Sequence, residues 1–422
     1  MAGGAVHVVG AGLSGLATAV RATRAGWTVH LYEATDHAGG RCRSFHDARL
    51  NRMIDNGNHL VLTGNTSVAA YLGEIDAKDG LKPAAEAALP FVDVETTKRW
   101  QVAMNDGPLP WWVFMPSRRV PETRPLDYLG GLGLARAGAD DTVADVITGR
   151  GPLWRRFWEP MVIAVLNTVP ERASAKLLWA VMRETFARGG GASRPMFAPE
   201  GLGTALIAPA VRWLEAADAT LRFQAPLKGV EVEDGRAATL RFSDGDIAVG
   251  PEDRVVLALP PTRLRAVLPE VEAPDDIAAI VNAHFLLDDA DDLKAAPPIL
   301  GVLGSKTQWI FSREGVASLT ISAAHDLGLA EVPSDELIPE LWDETRRALG
   351  LPADATYAAA RVLREKRATF DQSPAGVRRR PQPRTPLTNL LLAGDATDTG
   401  LPATIEGAVR SGHRAASLLN GN

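Results

Sequence analysis

A glycine-rich turn near the N-terminus constrains the fold of this chain more than any other feature. The turn is Gly10-Ala11-Gly12-Leu13-Ser14-Gly15, and it lies between a short apolar run, Ala5–Val9, and an apolar-patterned segment, 13–25. The first run predicts a buried parallel strand, and the second predicts a helix. Another short strand is predicted at Thr28–Tyr32, directly before Glu33. This order predicts a βαβ unit of the dinucleotide-binding type.

The residue types in the turn suit the binding of a pyrophosphate. Gly10 permits the tight turn, Gly12 leaves room for the anion, and Gly15 lets helix and strand pack closely. The free N–H groups of the first helical turn, which includes Ser14, and the positive end of the helix dipole stabilise negative charge. Glu33 lies 18 residues after Gly15, where a carboxylate can accept hydrogen bonds from ribose hydroxyls.

The rest of the chain predicts an α/β fold in which this unit is built from discontinuous segments. Strand patterns return at 199–259 and 389–393, and a last helix is predicted at 402–419. Helical patterns dominate 63–194, and 262–370 mixes strands and helices. We therefore predict a Rossmann-like domain formed by residues 1–62, 195–265 and 380–422, with an interleaved α+β substrate domain formed by residues 63–194 and 266–379.

Composition narrows the class of function. The 422 residues include 45 Lys and Arg against 51 Asp and Glu, a net charge of −6, which argues against general nucleic-acid binding. Cys42 is the only cysteine, so neither an internal disulfide nor a metal site is predicted. No apolar run approaches the ~18 residues that cross a bilayer. The sequence predicts a cytoplasmic protein, with association at the inner face of the membrane left open.

Two further segments indicate which nucleotide is bound. Gly39-Gly40-Arg41 follows Glu33 closely, and Leu392-Ala393-Gly394-Asp395 lies just before the last predicted helix. Together with the glycine-rich turn, they resemble the flavin-binding amine oxidase and phytoene desaturase superfamily. The resemblance implies that the first domain binds FAD. It also implies noncovalent binding, since Cys42 is far from the C-terminal segment where some relatives attach flavin.

The same resemblance assigns residues to the cofactor. Arg41, with Gly40, would reach the pyrophosphate, and Asp395, after Gly394, would contact the ribityl chain or a phosphate. The N-terminus of the last helix would face the pyrimidine end of the flavin. The other residues implied for the cofactor are Asn58, Val230, Thr404 and Ile405. Glu406 has two interpretations, a flavin contact or a first-turn acid that stabilises its own helix.

Four longer motifs narrow the resemblance to one subgroup. They are Asp55-Asn56-Gly57-Asn58-His59, Leu166-Asn167, 365–370 (EKRATF) and 399–407 (TGLPATIEG). They look like the squalene-associated FAD-dependent desaturases, the hydroxysqualene dehydroxylase group of bacterial hopanoid synthesis. One departure is Ala396, because that subgroup usually has a tryptophan after the Gly-Asp pair.

The subgroup resemblance implies reductive removal of a hydroxyl from a polyprenoid alcohol. A protonated hydroxyl would leave as water, and hydride from reduced flavin would quench the allylic cation. His59 and Asp398 are the candidate proton donors by motif position. Each also has a structural interpretation, because a histidine can be fixed at a turn and an aspartate can cap a loop. The electron donor that reduces the flavin stays open.

Two basic or aromatic segments are candidates for surface contacts. The segment 109–120 (LPWWVFMPSRRV) combines adjacent tryptophans with two arginines, which suits either a membrane interface or a domain core. The triplet Arg378-Arg379-Arg380 is flanked by prolines and is interpreted as a solvated loop.

Other functions are compatible with the same sequence motifs. A carotenoid-type desaturase or another flavin oxidase fits the same motifs, although Thr404 replaces the aromatic residue that many amine oxidases place beside the flavin. A prenyl-lipid carrier similar to the Rab GDP-dissociation inhibitors shares the implied fold without redox chemistry. The intact glycine-rich turn with Glu33 argues against the carrier. A plain NAD dehydrogenase leaves the C-terminal motif unexplained.

Overall fold

The computed structural model describes residues 3–275 and 278–420. In chain order the strands are β1 (Ala5–Val9), β2 (Thr28–Tyr32), β3 (Ser44–Asp47), β4 (Arg52–Asp55), β5 (Val61–Leu62), β6 (Lys82–Pro83), β7 (Ala88–Asp93), β8 (Arg99–Ala103), β9 (Pro195–Phe197), β10 (Thr220–Arg222), β11 (Leu227–Glu233), β12 (Arg236–Phe242), β13 (Gly245–Ala248), β14 (Arg254–Leu257), β15 (Ala278–Leu287), β16 (Ile299–Leu303), β17 (Trp309–Arg313), β18 (Val316–Ile321), β19 (Tyr357–Thr369) and β20 (Leu390–Leu392).

The α-helices connect and cover these strands. They are α1 (Leu13–Arg24), α2 (Thr66–Glu74), α3 (Val143–Val146), α4 (Glu159–Leu166), α5 (Ala175–Glu184), α6 (Ala208–Ala216), α7 (Pro261–Val267), α8 (Ser334–Leu349), α9 (Pro374–Arg378) and α10 (Ile405–Ser417). Two 3₁₀ helices, Trp111–Phe114 and Pro125–Arg136, lie between β8 and α3.

A parallel sheet of five strands forms the nucleotide-binding unit. Its order is β10-β2-β1-β14-β20, with β1 at the centre, and all five strands lie inside the ranges predicted for this domain. Helices α1 and α10 pack closely on one another because Gly412 of α10 meets the backbone at Ser14 of α1. A side chain at Gly412 would overlap that backbone, so the glycine sets the spacing of the two helices.

A mixed sheet of seven strands forms the second unit. Its order is β19-β15-β18-β17-β16-β7-β8, and β7 and β16 pair in parallel while the other neighbours are antiparallel. The segment 63–194 is mainly helical, as predicted, but it also contributes the strands β7 and β8 to this sheet. Alternating burial in β7, with Leu89 and Phe91 inward, gives a period of two rather than 3.6.

The first boundary between the two units lies later than predicted. Helix α2 follows residue 62, yet Val68, Tyr71 and Leu72 are buried in the same apolar cluster as α1 and α10. The Tyr71 hydroxyl also donates to the carbonyl of Leu206, at the end of a π-helical turn that leads into α6. Helix α2 therefore belongs structurally with the parallel-sheet unit.

Two predicted strands agree closely with the structure, since β1 and β2 have the predicted bounds. The Asp234-Gly235 turn joins β11 to β12 with positive φ at both residues. That geometry is a type I′ hairpin turn. A π-helical turn, Trp154–Trp158, leads directly into α4. Among the described residues no helix combines the length and apolar character needed to cross a bilayer.

Candidate functional site

The glycine-rich turn has the geometry of an anion cradle. Gly10 has φ +106°, which favours glycine, and Gly39 donates its N–H to the carbonyl of Ala11 at 2.8 Å. A side chain at Gly15 would overlap the carbonyl oxygen of Gly10, whereas one built at Gly12 meets open space. Gly15 is therefore needed for packing, and Gly12 leaves a space open above the N-terminus of α1.

Polar groups around this space lack partners within the described chain. The Ser14 hydroxyl is buried and makes no hydrogen bond, and no side chain caps the N-terminus of α1. Buried hydroxyls and first-turn N–H groups are normally satisfied, so their arrangement fits a bound phosphate oxygen. The residues predicted to bind the cofactor pyrophosphate thus fit that group on geometric grounds.

Glu33 lies at the end of β2, beside the turn. Its Oε2 accepts from the Ala11 N–H at 2.8 Å, and its Oε1 accepts from the N–H and hydroxyl of Thr35 at 3.0 and 3.1 Å. These bonds hold the carboxylate at the edge of the cradle, the position that a ribose-binding acid requires.

The structure brings Arg41 and Asp395 together from opposite ends of the chain. Arg41 Nη2 donates to Asp395 Oδ1 at 2.6 Å, and Arg41 Nη1 donates to the Ala368 carbonyl at 2.7 Å. Gly40 lies against Gly12, and Gly394 donates its N–H to the Ser411 hydroxyl at 3.0 Å. The two predicted flavin segments therefore form one wall beside the cradle.

Arg380 lies at the site, although the sequence predicted a solvated loop at this position. Far from lying in a solvated loop, it is buried and its guanidinium donates to the carbonyls of Asp395, Ala396 and Thr397 at 3.0, 3.3 and 2.7 Å. It also stacks over the ring of Phe370, and burial lowers its pKa. Arg380 is a positioning residue that fixes the backbone after Gly394.

Glu406 also has a different role from one of the two predicted, that of a first-turn acid stabilising its own helix. Its carboxylate accepts from the N–H groups of Ser67 and Val68, each at 3.0 Å, so it caps α2 rather than its own helix. Arg410 bonds Glu406 at 2.8 Å and holds Glu184 with two bonds of 2.8 and 2.6 Å. The N-terminus of α10 is capped instead by the Thr404 hydroxyl, which accepts from the Gly407 N–H at 3.0 Å.

A cavity lies between the parallel-sheet unit and the seven-stranded sheet. Arg41, Thr404 and Ile405 contribute from the first unit. The apolar part of the wall comes mainly from the second unit and includes Leu89, Met161, Val165, Ile280, Ile299, Trp309 and Phe311. The cavity lining therefore combines many apolar side chains with residues predicted to hold the flavin.

One end of the cavity is polar, and sequence reasoning missed most of its residues. Asn58 Nδ2 donates to the Thr320 hydroxyl at 3.0 Å, and that hydroxyl donates to Asn282 Oδ1 at 3.1 Å. Glu365 lines the same end and contacts Asn56 Nδ2 at 3.5 Å. Asn282 lies within β15 and Thr320 lies within β18. Neither residue belongs to a sequence motif that would have indicated a site. Glu365 lies in a motif, but nothing local distinguishes it.

The other predicted residues are dispersed. His59 lines the cavity, and burial lowers its pKa while Asp55 acts in the opposite direction. Asp398 is absent from the described lining, and its carboxylate accepts from the Gly400 N–H at 3.0 Å and Gln382 at 3.2 Å. Val230 lies on β11, where it packs on an apolar cluster with Tyr32. Asp398 thus has the loop geometry that was its alternative interpretation.

The fold and the site agree with the similarity of this chain to known proteins. A family model described as flavin containing amine oxidoreductase matches residues 13–420. The chain therefore belongs to the flavin-containing amine oxidoreductase family, and the predicted flavin cofactor is confirmed at that level.

Two curated relatives place the chain more narrowly. It is 45% identical to the hydroxysqualene dehydroxylase of Sinorhizobium fredii, covering 98% of this chain and 97% of that one. It is 42% identical to the hydroxysqualene dehydroxylase of Rhodopseudomonas palustris, covering 98% of each. These relatives show that, within the larger family, the chain is a member of the hydroxysqualene dehydroxylase family.

A solved structure supports the fold class. A putative protoporphyrinogen oxidase from Exiguobacterium superposes with a TM-score of 0.71 at 14% identity, covering 99% of this chain and 98% of that one. The prediction of an α/β fold with a Rossmann-like FAD-binding domain is thereby confirmed.

Gly12 and Gly15 offer a matched pair of substitutions. Gly12→Val should yield folded protein without flavin, because the new side chain enters open space that the pyrophosphate would need. Its melting temperature should lie within about 2 °C of flavin-free wild type. Gly15→Val should fail to fold, since its side chain meets the Gly10 carbonyl. Absorbance and thermal melting measure both effects, and stoichiometric flavin in Gly12→Val would contradict the assigned cradle.

Arg380 and Arg378 form a second pair. Arg380→Met should lower the free energy of unfolding by about 3 kcal/mol and weaken flavin retention, because three buried carbonyls lose their donor. Arg378→Met should change both little, since Arg378 is exposed and pairs with Asp140 at the surface. Urea denaturation and the flavin content after gel filtration provide the test. If the two variants had equal stability and equal flavin content, Arg380 would have no role at the site.

Proposed function

We propose that this protein is an FAD-dependent oxidoreductase that converts hydroxysqualene to squalene by reductive dehydroxylation. The observation that carries the proposal is the cavity, which combines a largely apolar lining with a polar end formed by Asn58, Thr320 and Asn282. A long hydrocarbon with one hydroxyl matches that distribution of polarity. The named activity of the two relatives supports the same choice.

The polar end suits a neutral hydroxyl. The bonds from Asn58 to Thr320 and from Thr320 to Asn282 fix the orientation of both amides. Asn282 Nδ2 also reaches the Asn56 carbonyl at 3.4 Å. Fixed amides can both donate to and accept from a hydroxyl, so they orient an alcohol without carrying charge.

The reaction requires one proton and one hydride. The C–O bond breaks, the oxygen leaves as water after gaining a proton, and a C–H bond forms at the same carbon. Reduced flavin, when bound, supplies the hydride. The residues of this chain bind the hydrocarbon, exclude water and provide the proton.

His59 is the proton donor in this proposal. It lines the cavity, whereas Asp398 does not, so we keep only the first of the two predicted donors. Burial lowers the pKa of His59 from its ordinary value of 6.5. The protonated imidazole is therefore a stronger acid than an exposed histidine, and it is scarcer as the pH rises.

Glu365 stabilises the cation that forms when water leaves. Three carboxylates line the cavity, and two of them, Glu184 and Glu406, are bound to Arg410. In the described part of the chain no ion pair includes Glu365. A carboxylate that forms no ion pair and lines an apolar cavity stabilises positive charge that develops nearby.

We further propose that FAD is held without a covalent bond and that a hydrophobic polyprenoid is the substrate. Cys42 is buried, and burial raises the pKa of its thiol, so it is a poor nucleophile toward the flavin.

Anaerobic turnover tests the proposed reaction. Purified protein should show flavin absorbance near ~450 nm that bleaches on chemical reduction and returns as added hydroxysqualene becomes squalene. Phytoene and a primary amine, offered to the oxidised enzyme, serve as controls for the desaturase and amine oxidase alternatives. If hydroxysqualene does not reoxidise the reduced flavin, the dehydroxylase assignment is wrong. Air-free buffer alone is the control and should leave the flavin reduced. A colourless protein that binds the lipid would favour the carrier.

The pH dependence of kcat/KM distinguishes the proposed roles of His59 and Glu365. Because His59 must be protonated to act, kcat/KM should fall about tenfold per pH unit above its lowered pKa, with the inflection below 6.5. His59→Gln should remove that inflection and slow turnover by ~10²-fold. Glu365→Gln should keep the inflection and lower the rate ~10-fold at every pH, since it removes only cation stabilisation. An unchanged pH profile in His59→Gln would contradict its role as the proton donor.

A further inference from the structure

Exposed apolar side chains are concentrated in one surface region. Seven of the ten large hydrophobic residues that are exposed in the described chain lie between residues 109 and 132, although this stretch is a small part of the sequence. They are Leu109, Trp111, Phe114, Met115, Leu126, Leu129 and Leu132. We name this region the leucine face. Such a concentration is unusual for a surface that meets only water.

The second 3₁₀ helix shows how this face is built. A 3₁₀ helix has three residues per turn, so residues three apart lie above one another. Leu126, Leu129 and Leu132 are 74%, 57% and 61% exposed and form one such row. Gly131 and Leu134 lie on the opposite side and are buried, with Gly131 against the ring of Trp158. The helix therefore presents an apolar row outward as well as inward.

The first 3₁₀ helix continues the same face. Trp111 is 50% exposed, whereas its neighbour Trp112 is 8% exposed and packs edge-on against Tyr128 with ring centroids 5.3 Å apart. The Tyr128 hydroxyl also accepts from the Val120 N–H at 3.0 Å. These contacts join the two 3₁₀ helices, so the exposed Trp111 and Phe114 lie on an element packed against the helix that carries the leucines.

Positive charge surrounds the leucine face. Residues 109–136 contain four arginines and two acidic residues, in a chain whose net charge is −6. Arg124 and Arg136 lie at the two ends of the second 3₁₀ helix, and neither forms an ion pair in the described part of the chain. Arg118 lies over the Trp111 ring at 5.7 Å. Apolar residues bordered by arginines are complementary to an anionic bilayer surface.

The leucine face and the cavity share one apolar core. Trp112, Val113 and Leu134, beneath the exposed rows, belong to the same cluster as Met161 and Trp309, which line the cavity. The exposed face and the cavity wall therefore rest on the same apolar cluster.

We propose that the leucine face docks the protein on the surface of an anionic phospholipid bilayer. The choice of lipid as the occupant rests on the proposed function, because a C30 alcohol partitions into the bilayer. The docking is interfacial, with the rows of Leu126 and Trp111 inserted among the headgroups and the arginines facing anionic lipid.

Vesicle cosedimentation tests the proposal without substrate. Wild type should bind vesicles of phosphatidylcholine and phosphatidylglycerol, more weakly at high salt. The triple variant Leu126→Ser, Leu129→Ser, Leu132→Ser should bind at least ~10-fold more weakly. The matched control Met53→Ser, Val232→Ser, Leu327→Ser removes three exposed apolar side chains elsewhere and should bind as wild type. Arg124→Gln with Arg136→Gln should lose ~10-fold on anionic vesicles and change little on neutral ones.

Two outcomes overturn the proposal. One is undiminished vesicle binding by the leucine variant. The other is a wild-type dimer without vesicles that the leucine variant converts to monomer, which would make a second copy the occupant. Turnover of detergent-dispersed hydroxysqualene should survive the leucine substitutions, since the cavity is untouched. Absence of turnover in wild type would refute the proposed function, while vesicle binding would still decide the docking surface.

Discussion

The hydrogen-bonded ion pair between Arg41 and Asp395 is the contact on which the site depends. It joins side chains 354 residues apart in sequence, and the same guanidinium donates to the carbonyl of Ala368 at the end of β19. One side chain thus connects the turn after β2, the segment after β20 and the longest strand of the second unit. Charged hydrogen bonds of this kind are stronger than neutral ones. The pair therefore fixes the cavity wall as well as the cofactor segment.

A second contact ties the substrate unit together from inside. Asn167 ends α4 in the left-handed conformation, and its Nδ2 donates to the Ala278 carbonyl and the Thr369 hydroxyl at 3.2 and 3.1 Å. Its Oδ1 accepts from the Ala323 N–H at 2.7 Å. Asparagine tolerates this backbone and offers both donor and acceptor. The Leu166-Asn167 motif, identified from the sequence as a family feature, is therefore explained by the register of α4 against the sheet.

The sequence predicts the nucleotide half of the site far better than the catalytic half. Strands β1 and β2, the turn at Gly10–Gly15 and Glu33 are determined by residues within about thirty positions of one another. Glu406 and Asn282 depend on partners far along the chain, so no local spacing reveals them. The triplet at Arg378–Arg380 has the composition of a loop, yet the carbonyls that bury Arg380 come from residues 395–397.

The leucine row was missed for a different reason. Apolar periods of 2 and 3.6 residues indicate strands and α-helices, but Leu126, Leu129 and Leu132 repeat every three residues. Three glycines, Gly130, Gly131 and Gly133, also interrupt the segment and disfavour an α-helix. The regularity is visible in the sequence once a 3₁₀ period is considered, whereas its exposure requires the packing of Gly131 on Trp158.

Because the Glu406 carboxylate contacts α2, the N-terminus of its own helix α10 is left open toward the cofactor site. An acid in the first turn of α10 could neutralise that helix's own N-terminus, which would weaken its attraction for an anionic flavin. Its carboxylate is instead bonded to Ser67, Val68 and Arg410. In the described chain the N–H groups of Ile405 and Glu406 keep no protein partner, since Thr404 caps only the N–H of Gly407. Glu406 thus serves α2 while the start of α10 stays available to the ligand.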